Sequence, residues 1–203
     1  MPKIKSKLPI SAKLENIPPI KLKNKYRRNR EYLTDTEIEK LRKAARNKGR
    51  HGVRDDALIL LMFRHGLRVS EVITLHWDQI DLQKGLLHVT RLKNGLPSTH
   101  PIRGTELRAL RQLQRSYLDS PYVFVSERKS PLSDRAVHHI VAQAGQNAGF
   151  PFSIHPHMLR HSTGFYLASN NHDTRAIQSY LGHANIKNTV MYTELSPNRF
   201  KDF

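Results

Sequence analysis

The chain has 203 residues, enough for about one domain, and its 34 Lys and Arg against 17 Asp and Glu give a formal net charge of +17 at pH 7. Such an excess of positive charge favours a polyanionic partner, most often a nucleic acid. The absence of cysteine excludes disulfides, thiolate nucleophiles and cysteine-based metal sites. The sequence shows no secretory signal and no apolar run near the roughly 20 residues that a membrane helix needs. We therefore predict a cytoplasmic protein associated with the nucleoid.

Residues 1–30 are basic, contain four prolines and lack apolar periodicity. Segments of this composition stay extended until they meet a partner, so we predict a flexible arm that contacts nucleic acid. A solubilising leader or a segment packed against another chain is the alternative. The cations that we expect on nucleic acid are Lys21, Lys23, Lys25, Arg27, Arg28 and Arg30.

The folded part begins near residue 32. Thr34 and Glu37 form a capping box, which predicts the first helix. A continuous apolar run predicts a second, buried helix over about 53–65, which Gly66 ends. A short third helix is predicted near Ser70, whose side chain is expected to cap it.

The next segment changes from helical to alternating periodicity. Asn94-Gly95 is a strong hairpin signal, and it predicts antiparallel strands over residues 86–89 and 98–102. Residues 122–125 fit either a short strand or a buried connection. The remaining segments predict helices: 105–118, one capped by Ser133, 157–169, one capped by Asp173, and a last turn around 189–192. The expected fold is therefore mainly α with a small antiparallel β-sheet.

The segment His157-Met-Leu-Arg160-His161 carries the first candidate chemistry. Residues i and i+3 share a helix face, so His157 and Arg160 point the same way and together suit an oxyanion such as phosphate. A metal site formed by His157 and His161 is one alternative, but the helical metalloprotease motif needs Glu after the first histidine, and this chain has Met158. A solvated basic face is the other alternative for this motif alone.

Further candidates are weak when taken singly, since a surface ion pair, a solvated lysine, a helix-end contact or ordinary packing would explain each of them. They are Arg68 near a helix N-terminus with Glu71 one turn away to orient it, Lys93 beside the hairpin turn, His183 just past a helix end, and Tyr192.

The joint order of these residues along the chain is specific. With the segments GLRVSE, RLKNG, HPHMLRHS and YLGH, the chain resembles the tyrosine recombinase (phage integrase) family over about residues 32–194. It looks most like the small recombinases that invert the fimbrial promoter switch in enteric bacteria.

The resemblance implies a tyrosine recombinase catalytic domain that cleaves and rejoins DNA without a metal or other cofactor. Tyr192 would attack a phosphodiester and hold the broken strand as a 3′-phosphotyrosyl ester, so rejoining needs no ATP. Arg68, Arg160 and His183 would neutralise the charge that develops on the phosphoryl oxygens.

The resemblance also implies two residues that transfer protons and a set of partners. His157 would accept the proton of Tyr192 or donate to phosphate, and Lys93 would protonate the leaving 5′-hydroxyl. The expected partners are double-stranded DNA, a homotetramer on two recombination sites and DNA-bending accessory proteins, with inversion or integration as the outcome. The alternatives are strand cleavage of the type IB topoisomerase kind and a DNA-binding regulator without turnover.

Two features depart from the usual pattern of the family. A separate N-terminal core-binding domain is expected to be absent, because only the basic arm of residues 1–30 precedes the catalytic domain at 31–203. Eleven residues follow Tyr192 (203 − 192 = 11), whereas relatives often use a longer tail to dock on a neighbouring protomer.

Overall fold

The computed structural model describes residues 30–91, 95–117 and 119–195, and the fold is given for these residues. They form a mainly helical structure with one small antiparallel sheet, which confirms the predicted fold class. None of the helices in these ranges is long and apolar enough to cross a membrane. The helices are α1 (Asp35–Arg46), α2 (Gly52–His65), α3 (Val69–Ile73), α4 (Gly104–Ser116), α5 (Asp134–Asn147), α6 (Pro156–Ser169), α7 (Thr174–Leu181) and α8 (Lys187–Leu195).

Helix α2 lies at the centre of the core. The side chains of residues 57–62 are at most 1% exposed, and helices α1, α4 and α6 pack against α2. A helix with apolar residues on every side is stable only when it is surrounded in this way. Gly66 ends α2 in the left-handed conformation, with φ of +58°, and a Cβ there would lie 2.5 Å from Cδ2 of Leu181. Glycine therefore allows both the turn and the close approach of α7.

The predicted side-chain caps of two later helices are present. The Ser133 hydroxyl accepts from the third N–H of α5 at 3.2 Å, and the Asp173 carboxylate accepts from the third N–H of α7 at 2.8 Å. The capping box of α1 is also confirmed, since the Thr34 N–H donates to Oε2 of Glu37 at 2.8 Å.

The predicted cap at Ser70 is wrong. The N-cap of α3 is Arg68, whose backbone N–H donates to Oε2 of Glu71 at 2.9 Å. A carboxylate three residues beyond the cap captures this N–H, so the helix starts before Ser70. The sequence contained the signal in Glu71, but serine is the commoner cap and drew the prediction.

The sheet has the order β1-β2-β3, with strands β1 (Ile80–Asp81), β2 (Leu86–Val89) and β3 (Ser98–Pro101). Strands β2 and β3 confirm the predicted hairpin, and their last pair is Val89 opposite Ser98. Strand β1 was not predicted, because two residues are too few to show alternation. Residues 122–125 form a buried connection with isolated bridges rather than a strand, and α8 is longer than the single predicted turn.

The hairpin differs from the tight two-residue turn that Asn94-Gly95 predicts. The ladder ends at Val89 and Ser98, so eight residues, 90–97, connect the strands (97 − 89 = 8). The cause lies at Arg91, whose side chain turns into the protein and is fully buried. A residue held in this way does not continue a two-stranded ladder. Asn94 itself lies outside the described residues.

A buried polar cluster joins the end of α2 to the sheet. Nδ1 of His65 lies 3.2 Å from Nδ1 of His100, and Nε2 of His65 lies 2.7 Å from Oε1 of Glu106. The ring of His100 stacks on Tyr180 with centroids 3.8 Å apart. Burial, with the charges of His65 and Arg91, lowers the pKa of His100 to about 3. The folded protein therefore keeps His100 unprotonated where the unfolded chain would bind a proton.

This difference predicts how stability changes with pH. Below pH 6.5 the unfolded chain binds a proton at His100, whereas the folded protein binds it only near pH 3. His100 therefore contributes to the loss of stability as the pH falls. In His100→Gln, we expect the fall in unfolding free energy between pH 7 and pH 5 to be smaller by up to about 2 kcal/mol. Urea unfolding at several pH values measures this difference. Parallel pH profiles for the two proteins would contradict it.

Candidate active site

The structure gathers the described residues of the motif set from four separate elements. They come from the N-cap of α3, the first two turns of α6, the residue after the Gly182 end of α7, and α8: Arg68, His157, Arg160, His183 and Tyr192. Lys93 lies outside the described residues, as do the arm cations Lys21, Lys23, Lys25, Arg27 and Arg28.

Arg160 is buried at the centre of this group, with 2% of its surface exposed. One end of its guanidinium donates to the carbonyl oxygen of Gly66, and Nη2 donates to that of Leu181 at 2.6 Å. Arg160 therefore ties the ends of α2 and α7 to α6. Burial, and then the charges of Arg68 and Arg91, lower the pKa of Arg160 to about 9. The group remains cationic at neutral pH in surroundings that disfavour further positive charge.

Glu71 is a buried carboxylate that holds two arginines. Its Oε1 accepts from Nη1 of Arg68 at 2.6 Å, and its Oε2 accepts from Nη1 of Arg91 at 2.8 Å. Burial alone would raise the pKa of Glu71, but Arg91 and the hydrogen bonds from Arg68 hold it below its usual value. The contact by which Glu71 was predicted to orient Arg68 is therefore present in the structure.

Arg91 connects this carboxylate to two helix ends. Besides Glu71, its guanidinium donates to the carbonyl oxygens of His65 at 3.2 Å, Gly66 at 3.4 Å and Tyr180 at 2.5 Å. Gly66 thus accepts hydrogen bonds from both Arg91 and Arg160. The base of the β2–β3 connection is fixed against the same backbone that positions Arg160.

Sequence reasoning missed Arg91, since a basic residue near a hairpin is ordinarily solvated. Two glycines enclose its side chain, because a Cβ at either Gly95 or Gly182 would lie 2.6 Å from a carbon of Arg91. Only the combination of Arg91 with one nearby and one distant glycine marks the site, and no sequence periodicity relates the three residues.

The cluster has an excess of positive charge. The guanidinium groups of Arg68 and Arg91 contact the carboxylate of Glu71, and that of Arg160 lies within its electrostatic influence. Three positive charges and one negative charge leave a net charge of +2 among these four side chains (3 − 1 = 2). The side chain of Arg68 is 27% exposed, so its donors reach the surface. Such an arrangement is suited to an anion that binds at the surface beside Arg68.

Tyr192 lies beside the cationic cluster and is only 4% exposed. Its hydroxyl oxygen is 2.9 Å from Nδ1 of His161, a residue that the motif considered only as a metal ligand. Burial raises the pKa of Tyr192 to about 12, against the opposing charge of Arg160. The resting side chain is therefore a neutral phenol.

Two histidines flank this tyrosine. The ring of His183 lies nearly parallel to that of Tyr192, with centroids 6.3 Å apart, and its Nδ1 is 2.9 Å from Oγ1 of Thr189. Burial and the charges of Arg160 and Arg68 lower the pKa of His183 to about 4. His157 is exposed, and desolvation with the same two arginines lowers its pKa as well. Both imidazoles are thus mainly neutral at pH 7.

Arg30 is the only member of the predicted arm set within the described ranges. Its guanidinium forms an ion pair with Glu37 at 2.5 Å and lies over the rings of Tyr32 and Phe152. Within residues 30–91, 95–117 and 119–195, no group of three or more His, Asp or Glu side chains is arranged to hold a metal ion.

Comparison with known proteins assigns the family. The phage integrase family profile matches residues 31–199. The chain is 46% identical over 185 residues to the type 1 fimbriae regulatory protein FimB of Escherichia coli strain K12, which covers 88% of this chain and 92% of that protein.

Two solved recombinases share the fold. The crystal structure of XerA recombinase superposes with a TM-score of 0.74 at 27% identity, over 84% of this chain and 62% of that one. XerH recombinase bound to a palindromic difH substrate superposes with a TM-score of 0.73 at 21% identity, over 84% of this chain and 51% of that one. The chain belongs to the phage integrase family and is a site-specific tyrosine recombinase.

The double attachment of Arg91 predicts its contribution to stability. In Arg91→Met, Glu71 stays buried with one of its two arginines missing, so we expect a loss of about 3–5 kcal/mol in unfolding free energy. Arg46→Met is a matched control, because Asp56 is also a buried carboxylate between two arginines and keeps its second partner, Arg42. Arg46 is half exposed, so its loss should cost under about 1 kcal/mol. Equal losses in urea unfolding would contradict this role of Arg91.

Proposed function

We propose that the cluster of Arg68, Arg160, His157, His183 and Tyr192, completed by Lys93, cleaves and rejoins DNA, and that the reaction inverts a DNA segment. The observation that carries the proposal is an excess of buried positive charge directly beside a buried tyrosine hydroxyl. A phosphodiester supplies the missing negative charge and an electrophilic phosphorus at the same place.

Binding begins with the phosphate. Arg68 presents its donors at the surface while Glu71 fixes its orientation, and Arg160 adds a buried charge behind it. These groups are already held before DNA arrives, so they stabilise the more negative transition state without reorganising. This arrangement performs the electrostatic task for which other phosphoryl-transfer enzymes use a divalent cation.

Tyr192 then attacks phosphorus. The Tyr192 Oη–P bond forms as the P–O5′ bond breaks, which leaves a 3′-phosphotyrosyl ester and a free 5′-hydroxyl. The ester retains the bond energy of the phosphodiester, so attack by a 5′-hydroxyl restores DNA and frees the tyrosine. His183, next to Tyr192 and Arg160, donates to a phosphoryl oxygen, and His157 at the exposed edge does the same.

The departing 5′-oxygen needs a proton, which we assign to Lys93. The residue follows Arg91 by two positions, and Arg91 is fixed to Glu71 and to the ends of α2 and α7. An ammonium on a long stem suits proton delivery, whereas the two arginines already provide the planar donors that phosphate prefers.

Inversion is the reaction that best fits the similarity to FimB, a protein named as a regulator of fimbriae. A recombinase can act as a regulator when it reverses the orientation of a control segment. Four protomers would exchange strands between two sites, with accessory proteins bending the DNA. The basic residues 1–30 would add contacts to the DNA backbone.

Two functions that the sequence left open, a topoisomerase and a regulator without turnover, fit the chain less well than recombination. Relaxation of supercoiled DNA by a single protomer would use the same residue types, and a regulator that only binds DNA would need the positive charge. The second alternative does not account for a buried tyrosine hydroxyl near the charge of Arg160, since DNA affinity alone needs no nucleophile.

Removal of one oxygen atom tests the nucleophile. Tyr192→Phe should bind the recombination site with unchanged affinity and form no denaturation-resistant complex with a nicked suicide substrate. Tyr180→Phe is a matched control, because Tyr180 is also largely buried and its hydroxyl donates to the carbonyl oxygen of Arg64 at 2.9 Å. That variant should still form the covalent complex. A covalent complex with Tyr192→Phe would refute the assignment.

A substrate with sulfur at the bridging 5′ position tests Lys93. Lys93→Ala should cleave an ordinary phosphodiester about 10²–10⁴-fold more slowly, because it lacks the general acid. A thiolate leaves without a proton, so the defect should largely vanish on the sulfur substrate. Arg160→Ala should remain defective on both substrates. If Lys93→Ala were equally impaired on the two, Lys93 would act on the phosphate or on DNA binding instead.

A further inference from the structure

Helix α6 brings a second functional side chain to Tyr192. Nδ1 of His161 lies 2.9 Å from the tyrosine hydroxyl, within the range expected of a general base and its proton. The motif drew attention to His157 and Arg160, which share one face of the helix. His161 is the next residue along the chain, and it is the imidazole that contacts the reacting atom of the proposed nucleophile.

Gly164 fixes the tyrosine ring in this position. A Cβ at Gly164 would lie 2.5 Å from Cε2 and 2.6 Å from Cδ2 and Cζ of Tyr192, so the ring rests directly on the helix backbone. His161 and Gly164 are three residues apart and therefore lie on one face of α6. The same face of α6 therefore supports the Tyr192 ring at Gly164 and contacts the Tyr192 hydroxyl through His161. This arrangement fixes the distance between the hydroxyl and the imidazole.

The electrostatic surroundings give the hydrogen bond its direction. Burial is the main cause that lowers the pKa of His161 to about 4, and unfavourable interactions with Arg160 and with the protonated forms of His157 and His155 add to it. His161 is therefore unprotonated at neutral pH, while Tyr192 keeps its proton. Because a neutral imidazole has one acceptor nitrogen and a phenol is the stronger donor, the hydroxyl donates to Nδ1 and Nε2 carries the imidazole proton.

Binding of a phosphate changes this balance in the direction that catalysis requires. The titratable and charged groups facing His161 are His157, His155 and Arg160 from the N-terminal part of α6 and its approach, with Tyr192 and His183 from the C-terminal segment. An anion on the arginines offsets the positive field at His161, so the proton affinity of the imidazole rises as the substrate binds.

We propose that His161 is a catalytic residue, the base that takes the Tyr192 proton during cleavage and returns it during rejoining. The proposal rests on Tyr192 being the nucleophile. As the Tyr192 oxygen bonds to phosphorus, its proton moves to Nδ1 of His161, the P–O5′ bond breaks, and Lys93 gives a proton to the 5′-oxygen. Rejoining reverses each transfer, so no proton is gained or lost over the cycle.

His157 then has a different task. Its ring meets that of His161 edge-on, with centroids 4.4 Å apart, and its side chain is exposed. Of the two roles that the sequence left open for His157, donation to a phosphoryl oxygen is the one that remains. His157 therefore acts on the phosphate, and His161 acts on the nucleophile.

Fluorinated tyrosine at position 192 separates a base from a structural contact. Fluorine makes the phenol more acidic, so it reduces the need for a base without removing the ring or its hydroxyl. With ordinary tyrosine, His161→Ala should slow covalent-complex formation on a nicked substrate by about 10²–10⁴-fold, with DNA affinity retained. With fluorotyrosine the defect should shrink, whereas the defect of His157→Ala should stay the same. A His161→Ala defect that is absent, or is independent of fluorination, would overturn the proposal.

His161→Asn provides a second variant that keeps a hydrogen-bond acceptor but cannot take a proton. We expect it to be nearly as slow as His161→Ala, with melting temperature and DNA affinity close to those of the parent protein. Recovery of the parent rate would show that His161 only positions the tyrosine. Tyr192→Phe is assayed in parallel, because a covalent complex in that variant would refute the nucleophile itself, whereas a fully active His161→Ala would refute only the base.

Gly164→Ala tests the support for the ring. The added methyl group must displace Tyr192, so covalent-complex formation should fall sharply while DNA binding persists. Gly104→Ala is the matched control, since a Cβ there would meet its nearest atom, Nη1 of Arg108, only at 3.6 Å. Equal cleavage rates in the two glycine variants would contradict the geometry on which the base depends.

Discussion

The buried carboxylate of Glu71 is the constraint on which the rest of the site depends. It neutralises one of three guanidinium groups, so the remaining positive charge stays unsatisfied until an anion binds. Glu71 also fixes geometry, because it orients Arg68 directly and holds Arg91, which shares the Gly66 carbonyl with Arg160. One acid therefore links α3, the β2–β3 connection and, through the end of α2, helix α6. A cationic site assembled from distant segments needs such a link, since like charges would otherwise separate them.

Charge neutrality at the tyrosine complements the cationic cluster. Tyr192, His161 and His183 all lie in surroundings that favour their uncharged forms. The pKa of Tyr192 is raised, and the pKa values of the two histidines are lowered. A nucleophile that stays protonated in the resting protein is protected from reaction before DNA binds. The phosphate then brings the negative charge that makes proton transfer to His161 more favourable. Under this mechanism, substrate binding and activation of the nucleophile are coupled by electrostatics alone.

Most of the helical framework could be predicted from the sequence, because capping residues, apolar periodicity and terminal glycines are local signals. Ser133, Asp173, Gly66 and Gly182 mark helix ends where the structure has them. The order of the motif residues along the chain indicated the family, and the family assignment is confirmed. Arg91, His161 and Gly164 were missed or given another role, since their importance comes from contacts with residues 20, 31 and 28 positions away. No local pattern encodes a glycine that supports a tyrosine on another helix.

The most direct test of the central claim is identification of the residue that becomes attached to DNA. The protein is incubated with a nicked suicide substrate, the covalent complex is digested with protease and nuclease, and the nucleotide-bearing peptide is sequenced by mass spectrometry. The adduct should lie on Tyr192 as a 3′-phosphotyrosyl ester. An adduct on Tyr166, Tyr180 or any other side chain, or efficient recombination with no adduct at all, would contradict the mechanism.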